Sequence, residues 1–230
     1  MSEYPIIQLT ENPENDKLIM SFLKTVYNYY PVGFCHIRKK YPGFIEIGKI
    51  VSHKIDVECN DPGSVCNVFV DRVKSELPSY VVSNHNYLQF PNYSATVLVA
   101  TTNDEAIRHE TYIEVYVSLL CEYYTIFLLD FYRFKERNAE TNKMKDHHSI
   151  YSFHAIYGDQ YNNEIEVIKN LVHQYFPKKQ FISHAFLTRH HVHSVEPFGE
   201  SNCPHIDTQG YNFFDLLFNY SYKANLTILD

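Results

Sequence analysis

The stretch from Thr111 to Phe134, TYIEVYVSLLCEYYTIFLLDFYRF, constrains the fold more than any other part of this chain. It is the most apolar run, and its first half alternates. Ile113, Val115, Val117 and Leu119 fall on one face, and Tyr112, Glu114, Tyr116 and Ser118 fall on the other. A period of two marks a strand with one buried face. From Tyr123 to Phe134 both faces are apolar, as in a central strand covered on both sides. Ser118 to Glu122 can turn the chain between them, without the Asn-Gly or Gly-Gly pair of the tightest turns. The stretch therefore predicts a long antiparallel hairpin, at about 111–134, in the middle of a sheet. Glu122, Asp130 and Arg133 interrupt it, so it is not a membrane span.

Helical periodicity surrounds this hairpin. Asn12-Pro13 is a helix start, and Leu18, Ile19, Phe22, Leu23, Val26, Tyr27 and Tyr30 recur at three- and four-residue spacing until Pro31-Val32-Gly33. Phe44, Ile47, Ile50, Val51, Lys54 and Ile55 fit a helical stripe, although short segments here also read as strand. A second clear helix begins after Asp61-Pro62, with Val65, Phe69, Val70, Val73 and Leu77 inward and Pro78 closing it. A third runs from about Asn162 to Tyr175, and Tyr211 to Tyr220 reads as a short helix. Strands are expected at Tyr80–Ser83, Tyr87–Phe90, Ser94–Thr101, Ile150–Tyr157 and Phe181–Val195, with a helix as the alternative near the start of the last. The result is an α+β protein: a mostly antiparallel sheet centred on the hairpin, with three or four helices packed on it. Residues 1–230 read as a single domain. Lys135 to His148 is the most polar stretch, and is expected to be a mobile loop or a junction between two lobes.

Composition narrows the function classes. The formal charge of −7 disfavours nucleic acid as a partner and favours a basic protein. The 20 Tyr and 16 Phe, without Trp, supply aromatic contact area with polar tips. Five Cys without a CxxC pair fit reduced thiols in a cytoplasmic compartment better than a disulfide framework. The first residues, MSEYPIIQLTENPEND, are neither basic nor apolar enough for a signal peptide, and no membrane partner is expected. Only 7 Gly are present, and neither GxSxG nor GxxxxGK[ST] occurs, so nucleotide-dependent enzymes recede.

The histidines are unevenly distributed, most of them lying between His147 and His205. His191-Val192-His193 would put two imidazoles on one face of a strand, and Cys203 and His205 follow with Asp207 nearby. Zinc held by His191, His193, Cys203 and His205 is conceivable, but no diagnostic ligand spacing is matched. Without that metal the expected cofactor set is empty. Cys35-His36 and Cys203/His205 are adjacent in sequence only, which says nothing about a catalytic pair. Arg38-Lys39-Lys40 reads as a solvated turn.

Three functions remain. The chain is acidic, Tyr-rich and poor in Gly, and in these bulk properties it resembles bacterial toxin-neutralising immunity proteins. That resemblance implies a non-enzymatic inhibitor of a basic partner, with Tyr112, Glu114 and Tyr116 as contacts if no helix covers their face. The second is a zinc-dependent hydrolase or metal-binding protein using the C-terminal third. The third is a structural subunit of a larger assembly.

Overall fold

The predicted hairpin is the spine of the sheet. The computed structural model describes residues 13–33, 39–137, 141, 144–154, 159–199 and 210–219. In it β3 (Ile107–Ser118) pairs antiparallel with β4 (Tyr123–Arg137), from Ile107 opposite Phe134 to Val117 opposite Tyr124. On one side β2 (Asn92–Asn103) pairs with β3, and the short edge strand β1 (Val81–Asn84) pairs with β2. On the other side β5 (Met144–His154) pairs with β4. The sheet order is thus β1-β2-β3-β4-β5, all antiparallel, with the two-residue β6 (Gln180–Phe181) running parallel to the start of β4.

Helices cover both faces. Ile113, Val115, Val117, Ile126 and Leu128 pack against α3 (Val65–Glu76) and α4 (Asn162–Tyr175), which bring Phe69, Val70, Val73, Ile165, Ile168 and Val172. Tyr116, Phe127 and Leu129 face the opposite way. They meet α1 (Pro13–Tyr29), α2 (Pro42–His53), α5 (His184–Arg189) and α6 (Phe213–Leu217). A second, small sheet pairs β7 (His191–Val192) with β8 (Tyr211–Asn212) beside α5 and α6. The α1 and α2 stripes were readable from spacing: Ile19, Phe22 and Val26 are buried on the first, Ile47 and Val51 on the second. The two helices approach so closely at Gly43 that a Cβ there would lie 1.9 Å from the Asn28 carbonyl oxygen. A glycine is required at that crossing.

Five expectations need correction. The polar face of β3 is not solvated: Glu114 and Tyr116 are each 3% exposed, and β3 is covered on both sides. Six α-helices, rather than three or four, are present among the described residues. Tyr87–Phe90 is a turn segment, because its backbone groups bond locally and to a lysine described below. Phe181–Val195 is a helix between two-residue strands. His184 and Leu187 are buried three apart on one helical face, and that spacing outweighs a short alternation. The polar stretch 135–148 falls mostly within strands: Lys135 lies opposite Asp146, and Arg137 opposite Met144. Backbone pairing needs no apolar side chains, so a polar composition did not prevent it.

Candidate functional site

The most unusual side chain in the fold is a lysine in the core. Lys54 continues the inward stripe Ile47–Val51 by one further turn, and it is 1% exposed. There α2 widens into a π-helical turn, Lys54–Glu58, closed by the Cys59 amide donating to the Lys54 carbonyl at 2.8 Å. Such widened turns recur at functional positions. The ammonium donates to the carbonyls of Leu88 (2.7 Å), Phe90 (2.7 Å) and Asn92 (3.0 Å). Two successive i→i+2 backbone bonds, Phe90 to Leu88 and Asn92 to Phe90, aim those alternate carbonyls in one direction. An ammonium has three donors, and this cage uses all of them. Burial pulls the Lys54 pKa down to about 8. With every N–H committed, Lys54 works as a clamp.

The clamp has two relatives. The Asn67 amide donates to the carbonyls of Glu58, Cys59 and Asp61, and the Asn86 amide to that of Cys66. The π-helical turn, the start of α3 and the 85–92 segment are therefore joined by side chain–backbone bonds. Each of the three presents an apolar residue outward: Val57 is 53% exposed, Val65 39% and Tyr87 61%. Asp56, Glu58 and Asp61 stand among them. Neither Asp56 nor Asp61 has an ion pair among the described residues. The run from 55 to 71 carries Asp56, Glu58, Asp61 and Asp71 and no Lys, Arg or His, a signal available in the sequence from the start.

Beside this face lies a cavity of about 300 Å³, lined by Glu46, Lys49, Ile50, His53, Lys54, Glu58, Tyr93 and Leu119. Its acidic members have fixed neighbours. Lys49 pairs with Glu46 at 3.3 Å, and both are well exposed. Glu58 accepts a hydrogen bond from the Tyr93 hydroxyl on Oε2, while its Oε1 lies 3.6 Å from His53 Nε2. Burial and the Glu58 carboxylate push the Tyr93 pKa far up, so the phenol stays a donor. Tyr93 is held from behind by Phe176, with ring centroids 5.6 Å apart.

Catalytic arrangements are harder to assemble. His109 Nε2 lies 2.9 Å from Asp130 Oδ1, and the Thr111 hydroxyl donates to the same carboxylate oxygen at 2.7 Å. Thr111 also approaches His109 through Nε2. One ring nitrogen thus serves both neighbours, and the imidazole cannot relay a proton from the hydroxyl to the carboxylate. Glu110 is buried beside Arg108 and Arg133, an ion-pair group on the other face of the same sheet end. Burial pushes the thiols of Cys59, Cys66 and Cys121 up, away from the thiolate a nucleophile needs.

The residues singled out from sequence are widely dispersed. Tyr112 is half-buried, and Glu114 and Tyr116 lie under α6, where the Tyr116 hydroxyl donates to Glu114 Oε2 at 3.0 Å and its ring meets Phe214 edge-on. Glu114 and Tyr116 therefore present no surface to a partner, whereas Tyr112 keeps part of its own exposed. His191 and His193 are both exposed on either side of buried Val192, as strand alternation requires. Cys203 and His205 lie outside the described residues. Among the described residues no group of three or more His, Cys, Asp or Glu side chains is placed to hold a metal. No helix there is long and apolar enough to cross a membrane. Comparisons with protein-family models, curated proteins and solved structures gave no match.

Proposed function

We propose that this chain is a non-catalytic binding protein of the inhibitor type, which meets a basic protein, such as a toxin-type enzyme, through the face around Lys54. The observation that carries the reading is the combination on that face. Val57, Val65 and Tyr87 project from three segments that side-chain hydrogen bonds hold together, and the carboxylates among them have no Lys or Arg in the surrounding run. Aromatic and aliphatic anchors on a rigid support contribute most to affinity, and like-signed rim charges steer an oppositely charged partner. The overall charge of −7 acts in the same direction.

The test is association with a basic partner recovered from the native cell, compared between wild type and an Asp56→Lys/Asp61→Lys variant. An association rate that falls with salt, and falls about tenfold or more in the variant, supports the reading. A partner bound tightly with no response to salt or to the variant favours the structural-subunit alternative.

A second reading has its own observation, the exposure of His191 and His193 on either side of buried Val192. In that reading the pair contributes to a zinc site. Elemental analysis of tag-free protein is expected to show near-stoichiometric zinc, lost in His191→Ala/His193→Ala. Folded wild type that neither contains nor takes up zinc removes it.

A further inference from the structure

The groove along α2 differs from the outward patch in shape and in what it can accept. Glu46 and Glu58 are twelve residues apart along α2 and its π-helical turn, a span of about 18 Å at helical rise. That length matches about five residues of extended chain. The middle of the groove is apolar: Ile50 on the helix, with Tyr93 and Leu119 from the ends of the central strands opposite. The ends are charged, but unequally. At the Glu46 end the carboxylate has Lys49 beside it. At the Glu58 end the nearby Lys54 cation has no N–H left to offer an anion, since three carbonyls take them all.

Glu58 is the group with spare capacity. Its Oε2 is held by the Tyr93 hydroxyl, which fixes the carboxylate in place. Among the described residues its Oε1 is paired with His53, at 3.6 Å, and the His53 side chain is 62% exposed. That separation is too long for a hydrogen bond. A cationic side chain can therefore displace His53 and bond Oε1 without breaking any interior contact. Tyr93 is braced by Phe176, so the wall of the groove is formed before a ligand arrives.

We propose that this groove takes a short extended segment of the basic partner, with an aliphatic side chain over Ile50, Tyr93 and Leu119 and an arginine at Glu58. The proposal rests on the binding reading above and names what the partner brings. Arginine fits better than lysine, because its stem covers apolar floor while its planar head presents paired donors to a fixed carboxylate.

The probe is the peptide acetyl-Ala-Leu-Ser-Arg-Ala-amide, titrated into the full chain at low salt and followed by backbone NMR shifts. The expected result is saturable shifts at His53, Tyr93 and Leu119. Replacing the arginine by citrulline is expected to weaken binding about tenfold. Glu58→Gln, which keeps an acceptor for the Tyr93 hydroxyl, is expected to remove the difference between the two peptides. Leu119→Trp, filling the floor, is expected to weaken both. Absence of saturable shifts at these residues, or shifts indifferent to citrulline and to Glu58→Gln, overturns the proposal. A protein partner whose association ignores both variants overturns the groove but leaves the binding reading standing. If the groove behaves as expected with the peptide and no protein partner exists, the binding reading fails instead.

Discussion

The two faces of the central sheet solve the same burial problem with different chemistry. The face toward α3 and α4 is filled chiefly by aliphatic side chains, Ile113, Val115, Val117, Ile126 and Leu128, in simple alternation. The face toward α1, α2, α5 and α6 buries Glu114, Thr125 and His184 among aromatic rings. The first needs only shape and hydrophobicity, and tolerates neighbours of many kinds. The second needs specific partners for its polar atoms, and each that is missing costs stability. Stability on the aliphatic face should follow volume, and on the polar face it should follow hydrogen bonding and pH.

The largest effect is expected from Ile126→Ala, at the centre of the aliphatic face with no exposure. The loss of apolar contact and the cavity left behind should cost about 4 kcal/mol in urea unfolding. A loss below about 1 kcal/mol would mean that this face is looser than its burial implies.

Lys54→Met comes next, at about 3 kcal/mol. It removes three charge-assisted bonds, offset in part by no longer burying a charge. Hydrogen exchange should quicken in residues 85–92 first, because their carbonyls form the cage. Unchanged exchange there would show that the segment is held by other contacts.

His184 gives the polar face a pH dependence in the acid range. It is stacked on Phe127 at 3.9 Å, and burial lowers its pKa to about 4. The unfolded chain binds a proton below the ordinary value near 6.5, while the folded chain resists it until about 4. Stability present above pH 6.5 is therefore lost as pH falls through that window, by about 3 kcal/mol. His184→Phe should flatten this part of the stability–pH curve, and a curve of unchanged slope would remove His184 as its source.

The smallest effect should be a gain. Thr125 is fully buried, and its hydroxyl has no hydrogen-bond partner among the described residues. Thr125→Val keeps the shape and removes the unsatisfied group, so a stabilisation of about 1 kcal/mol is expected in thermal or urea melts. A loss would reveal a partner for that hydroxyl.

Much of the fold was legible because its signals are local. The hairpin, α1, α3 and α4 each rest on a periodicity within one segment, and each is found where the spacing put it. Where two periodicities competed over a short run, as at Phe181–Val195, the sequence left strand and helix both open, and the helix formed near the start of the run. The candidate face was only half legible. Lys54 was visible as a member of the α2 stripe, but a lysine in an apolar stripe looks like an irregular edge until its acceptors are known. The acceptors lie 34, 36 and 38 residues away, on a segment whose turns alone aim them. The absence of cations between 55 and 71 was readable, yet nothing local shows that Val57, Val65 and Tyr87 share a surface.

By itself, then, the sequence determined the central hairpin, the stripes of the longer helices, the acidic charge and the α+β class. These follow from side-chain periodicity and composition, which need no knowledge of distant residues. Tertiary structure alone decided that Glu114 and Tyr116 would be buried, that Lys54 would be caged, and that an acidic, apolar-tipped face would remain outside. The hydroxyl of Ser118 donates to the carbonyl of Leu217, 99 residues further on, where α6 closes over β3. A polar side chain can be buried only where the fold supplies its partner, and that partner is chosen by the path of the whole chain.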